Sequence, residues 1–213
     1  MYSKIYADTE NKYIIMVNHK CGFMSLNTCL TDKNLLNNFD TVIDNSIFKS
    51  FIEANNMDEY KKILIVREPI QRACSYYNQF VFTRFHGHPI FNKLRRVMGN
   101  DYNIFERNFT GDKPVAFELF CKYLQELMDN NPMINVHLQP QYKLFYENEE
   151  PLFTLDKIIK QESFDYEYFK TVTTYDYGHM NKSRSYNYED FLNDNSIALL
   201  KEFYKKDYEL FYK

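Results

Sequence analysis

The stretch "YIIMVNHKCGFMSL" (residues 13–26) decides the fold. Its first five residues, Tyr13–Val17, are apolar and rich in β-branched side chains, as in a buried strand. "NHKCG" then supplies a turn, and the residues after it begin an amphipathic segment, with a helix expected over 25–37. A strand running through a tight loop into a helix turns the first helical N–H groups toward the loop, which favours a phosphate or a sulfate. Gly22 lets the backbone approach such a ligand, Lys20 brings a positive charge, and Ser25 brings a hydroxyl. The loop is not the nucleotide-binding pattern GxxxxGK[ST], because its lysine precedes the glycine and the first glycine is missing. Taken alone, the stretch also fits an ordinary strand-to-helix turn with a surface lysine.

A second stretch, "ILIVREPIQRACSYY" (63–77), repeats the arrangement. A strand is expected over 62–66 and a helix over 69–84, with Pro69 in the first turn, where its missing N–H costs nothing. Arg67 falls at the carboxyl end of the strand, the end at which open α/β sheets bind ligands. Ser75 follows about two turns into the helix, and Arg72 one turn before it. An arginine at the strand end, Arg67, and a serine on the helix, Ser75, can hold one phosphate from two sides, with the planar guanidinium making paired hydrogen bonds. The competing reading is that Arg67 pairs with Glu68 or another carboxylate.

A weaker strand is expected over 41–43, one helix over 112–129 capped by Asp112, and a last helix over 195–211. Strands alternating with helices argue for an α/β fold, a single domain over 1–213 with a central parallel sheet flanked by helices. Residues 86–112 mix glycine, proline and charge and read as an irregular lid or insertion.

The 213 residues suffice for a sizeable core, and 45% apolar residues exclude bulk disorder. A net charge of −3 excludes a broad basic surface and a nucleic-acid partner, so an anion site must be local. The four cysteines, Cys21, Cys29, Cys74 and Cys121, form no CxxC pair. That argues against structural zinc and for a reducing compartment. Neither a secretion signal nor a membrane-spanning run is visible, and a cytoplasmic location is expected.

Together the two stretches resemble the sulfotransferases that use 3′-phosphoadenosine 5′-phosphosulfate (PAPS), in particular the Golgi carbohydrate sulfotransferase group. "HKCGFMSL" resembles the family loop PK-x-G/A-x-T/S-S/T, with His19 in place of the usual proline. "ILIVREPIQRACSYY" resembles hhhVRDPhxRhhSxY, where h is apolar, with Glu68 in place of the aspartate. "VHLQPQYKLF" (136–145) is similar to the H-x-x-P-Q stretch, and "LDKIIKQESF" (155–164) to the strand and glutamate after it. "HMNKSR" (179–184) resembles the late h-x-N-x-S segment, and "YKKDYELFYK" (204–213) the common ending.

The resemblance implies a P-loop-like sulfotransferase fold with PAPS as donor, no metal, and a carbohydrate or other hydroxyl as acceptor. It implies that Lys20, Cys21, Gly22, Phe23, Met24, Ser25 and Leu26 cradle the 5′-phosphosulfate. Arg67 and Ser75 would bind the 3′-phosphate, joined by Ser183 and Arg184. Lys20 would stabilise charge on the departing phosphate. For the base, "NVHLQPQ" points to His137, with Asp44, Glu53, His86 and His88 as alternatives. The Golgi members carry a membrane anchor, and none is expected here. A sulfotransferase-like binding protein without catalysis and a nucleotide-dependent kinase are the other readings, and a homodimer is left open.

Overall fold

The structure, a computed structural model, describes residues 4–8, 10–22, 26, 50, 53–54, 56–84, 90–144, 146–147, 150–151, 153–174 and 187–213. The strands are β1 (Lys4–Asp8), β2 (Tyr13–Val17), β3 (Lys61–Val66), β4 (Tyr146–Glu147), β5 (Glu150–Pro151) and β6 (Lys157–Lys160). The α-helices are α1 (Pro69–Tyr76), α2 (Ile90–Met98), α3 (Asp101–Asn108), α4 (Lys113–Lys122), α5 (Leu124–Asp129), α6 (Pro132–Leu138), α7 (Tyr166–Thr173), α8 (Asp194–Phe203) and α9 (Lys205–Phe211). The α/β reading holds. The chain divides into two compact units, 1–68 with 141–184 and 69–140 with 185–213.

The first unit carries a four-stranded sheet in the order β1-β2-β3-β6. β2, β3 and β6 are parallel, as expected. The apolar runs of the inner strands β2 and β3 are continuous because these strands are buried on both faces, all five residues of β2 among them. β1 joins antiparallel and makes the sheet mixed. The chain returns through a tight turn in which Asp8 Oδ1 accepts from the N–H groups of Glu10 and Asn11, at 2.9 and 2.8 Å. The parallel register sets Val17 beside Ile65 and Val66 beside Lys160. The carboxyl ends of β2, β3 and β6 therefore emerge along one edge of the sheet. Tyr13, Ile15, Ile63, Ile65, Ile159 and Phe169 are among the residues of this unit's core.

The second unit is helical, and its core is built from rings. Tyr77 lies 4.9 Å from Phe117, 5.1 Å from Phe120 and 5.4 Å from Phe191, between ring centroids. This is where much of the aromatic excess resides. The helix expected over 69–84 continues past α1 as a π turn, Tyr77–Val81, and a 3-10 turn, Phe82–Arg84. Residues 90–98 and 101–108 are helices, where an irregular segment was expected. Ile90, Leu94, Met98, Tyr102 and Phe105 bury an apolar stripe that the surrounding charges obscure in the sequence. The helices expected over 112–129 and 195–211 each bend once, at Tyr123 and Tyr204. Backbone bonds from Leu127 to Tyr123 and from Tyr208 to Tyr204 carry each chain across its bend.

Asp112 caps α4 as expected, accepting from Val115 N–H at 3.2 Å. A stronger cap opens α8. Asn193 and Ser196 form a reciprocal capping box, and Asn193 Nδ2 also donates to Glu118 Oε2 at 2.8 Å. Asn193→Ala is expected to cost about 1–2 kcal/mol in a chemical denaturation series. A loss within error would show that the cap is made good by solvent.

The expected strand over 41–43 lies outside the described residues, as does the helix over 25–37 apart from Leu26. No helix among the described residues is long and apolar enough to cross a membrane.

Candidate functional site

Three turns follow the carboxyl ends of β2, β3 and β6 in the first unit, and their groups meet. In the first, Cys21 N–H donates to Asn18 C=O at 3.2 Å, and His19 N–H to Asn18 Oδ1 at 3.0 Å. Lys20 and Gly22 both have left-handed backbones, with φ of 67° and 84°. The conformation costs Gly22 little, but it strains a lysine by about 1 kcal/mol or more. Leu26 N–H then donates to Gly22 C=O at 3.0 Å. The Leu26 side chain is fully buried in the core.

The second turn brings Arg67. Its Nη1 donates to Lys20 C=O at 3.1 Å, so the guanidinium lies over the first loop. Among the described residues Arg67 pairs with no carboxylate, which removes the reading in which Glu68 neutralises it. Glu68 N–H instead faces Glu162 Oε2 at 3.3 Å.

Two glutamines to which the sequence assigns no role complete the cluster, Gln141 of the H-x-x-P-Q stretch and Gln161. Gln141 exchanges hydrogen bonds with the Arg67 backbone and accepts from Cys21 Sγ at 3.1 Å. Gln161, just beyond β6, reaches the first loop with its amide oriented to suit both neighbours. It donates to Lys20 C=O and accepts from Gly22 N–H, each at 3.3 Å.

Electrostatics single out Lys20. Burial, with the Arg67 guanidinium nearby, pulls its ammonium from the ordinary 10.5 down to about 8, against a smaller opposing effect of Cys21. Two cations held this close gain from an anion between them. Asn18 adds a further donor, since its Nδ2 is fully buried with no hydrogen-bond partner among the described residues. A ligand that accepts bonds and carries negative charge fits this set. Among the described residues no group of three or more His, Cys, Asp or Glu is arranged to hold a metal ion.

Lys20, Cys21, Gly22 and Arg67 are thus brought together. Ser75 and His137 belong to the second unit. Ser75 is buried on α1. Arg72 on the same helix is fully buried. It donates to the carbonyls of Leu138 (3.3 Å) and Gln139, and its guanidinium lies over the Tyr204 ring at 5.5 Å. Arg72 is therefore a clamp on the end of α6, further fixed by Tyr204 Oη donating to Leu138 C=O at 2.7 Å. The His137 ring is half-buried against Tyr76 and Phe80, at 5.4 and 4.9 Å between centroids. Glu53 is exposed. Phe23, Met24, Ser25, Asp44, His86, His88, Ser183 and Arg184 lie outside the described residues.

The carboxyl ends of the parallel strands in this mixed sheet thus carry a left-handed loop, a lysine and an arginine that pairs with no carboxylate among the described residues. The chain matches the family model described as "Sulfotransferase family" over residues 6–213, nearly its whole length, and it belongs to that family. Among curated proteins and among solved structures, neither search gives a match.

Proposed function

We propose that this protein transfers a sulfonate group from PAPS to an acceptor hydroxyl, and that the acceptor is a carbohydrate. The observation that carries the reading is the seating of the Arg67 guanidinium on the Lys20 carbonyl, beside a left-handed loop at the carboxyl edge of the sheet. Membership of the sulfotransferase family supports the reaction class. The choice of donor and of acceptor rests on the motifs at 18–26 and 63–77.

The donor supplies an activated sulfonate whose phosphate gains negative charge as it departs. Lys20 stabilises that charge, and it is the right group because an ammonium held near neutrality shares a proton readily with an oxyanion. The loop from Lys20 to Leu26 holds the phosphosulfate, through the Lys20 ammonium and the backbone N–H groups of Phe23, Met24 and Ser25. Arg67, with Ser75, Ser183 and Arg184, binds the 3′-phosphate, the group that separates this donor from ATP. His137 takes the proton of the acceptor hydroxyl on its imidazole. The chain works as one domain over 1–213.

The test is acceptor-dependent turnover. PAPS is incubated with a panel of carbohydrate acceptors, and the release of adenosine 3′,5′-bisphosphate is followed beside the mass of the product. The expected result is release that matches sulfonated product one for one. It should be lost in His137→Ala, which still binds the bisphosphate. Bisphosphate binding without turnover on any acceptor would favour a sulfotransferase-like binding protein.

A further inference from the structure

β3 ends at Val66, yet the residue beyond it is bonded as though another strand ran alongside. Arg67 N–H donates to Gln141 Oε1 at 2.9 Å, and Gln141 Nε2 donates back to Arg67 C=O at 2.8 Å. That reciprocal pair is the pattern of two directly opposed antiparallel residues, made here by one side-chain amide. The same Oε1 accepts from Cys21 Sγ at 3.1 Å. Gln141 is fully buried, so these bonds are sheltered from competing water. One side chain thus ties the turn after β2 to the residue after β3.

We infer that Gln141 is the positioning residue of the donor site: it sets the backbone from which Arg67 reaches the 3′-phosphate and locks that backbone to the Lys20 loop. The inference rests on Lys20 and Arg67 being the anion ligands proposed above. The chemistry selects glutamine. The Arg67 N–H needs an acceptor, the Arg67 carbonyl needs a donor, and the thiol needs a second lone pair on the acceptor. A glutamate accepts without donating, a leucine does neither, and an asparagine is one methylene too short.

The wild type, Gln141→Leu, Arg67→Ala and the double variant are titrated with adenosine 3′,5′-bisphosphate and with adenosine 5′-monophosphate, and each is melted in parallel. A positioning role changes the ratio of the two affinities, whereas a purely structural role lowers the melting temperature and leaves the ratio alone. The expected result is a loss of bisphosphate affinity in Gln141→Leu on the order of tenfold larger than its loss of monophosphate affinity. In the Arg67→Ala background the same substitution should leave the ratio unchanged. Equal losses for the two ligands, or the same change of ratio without Arg67, overturns the inference. Should the leucine variant fail to fold, Gln141→Asn keeps the amide but shortens its reach, and its ratio is expected to move the same way. A wild type that binds neither nucleotide removes the donor site itself and the inference with it, an outcome visible before any variant is compared.

Discussion

Arg67→Ala is expected to weaken adenosine 3′,5′-bisphosphate binding about 100-fold while the melting temperature barely moves. The affinity loss follows from the type of bond removed. Hydrogen bonds to a charged group contribute about 1.5–3 kcal/mol each, and a guanidinium makes two of them to one phosphate. The small stability change follows from what the side chain does without ligand. It makes one bond, to Lys20 C=O at 3.1 Å, from a half-buried position. The Arg67 backbone is held separately by Gln141, so truncating the side chain leaves the strand end in place. Calorimetric titration beside a thermal melt checks both halves. Arg67→Lys is not expected to rescue, because an ammonium lacks the planar fork. Unchanged affinity in Arg67→Ala would remove Arg67 from the donor site.

Lys20→Met is expected to lower kcat about 1000-fold, with a smaller loss of bisphosphate affinity and a more stable protein at neutral pH. The kinetic loss is the loss of a donor aimed at charge that grows only during the reaction. The gain in stability follows from the sign of the shift. In the folded chain Lys20 titrates near 8, below its ordinary 10.5, mainly because it is buried and next because Arg67 is close. Between those two values the unfolded chain binds more protons than the folded one, so the wild type becomes more stable as pH rises through the window. Below it the cost of keeping the ammonium charged is fully present, and Lys20→Met removes that cost. The stabilisation by Lys20→Met should therefore be largest below pH 8 and fade toward 10.5. A bound anion favours the charged form, so nucleotide binding should take up a proton above pH 8, seen as a buffer-dependent heat. A pH-independent difference in melting temperature, with unchanged kcat, would contradict this account of Lys20.

How much of this was legible depended on the range over which a residue acts. β2 and β3 were readable because strands covered on both faces show unbroken apolar runs, and Lys20 and Arg67 were readable because they directly follow those runs. Pro69 and Asp112 marked helix starts for local reasons, a missing N–H and a short side chain that accepts from the first turn. β1 was missed because "KIYAD" sits in a polar segment and becomes a strand only by pairing with β2. Gln141 stands in the H-x-x-P-Q stretch, yet the bonds of the two glutamines left no local trace. Gln141 finds Arg67 at a sequence separation of 74 and Cys21 at 120, and no periodicity encodes such a bond. The helices over 90–108 did carry a signal, Ile90, Leu94 and Met98 at every fourth place, which glycine, proline and charge outweighed on reading. Arg72, one turn before Ser75, spends its guanidinium on the carbonyls of Leu138 and Gln139. Its distance from Ser75 along the helix could not reveal that.

The central claim is that the Lys20–Arg67 cluster is a site for a nucleotide with a 3′-phosphate. Titration of the wild-type protein with adenosine 3′,5′-bisphosphate, beside ATP with magnesium, tests it most directly. Micromolar or tighter binding of the bisphosphate is expected, with far weaker binding of ATP, which lacks the 3′-phosphate. Failure to bind the bisphosphate would contradict it, and binding of magnesium-ATP in its place would favour a nucleotide-dependent kinase.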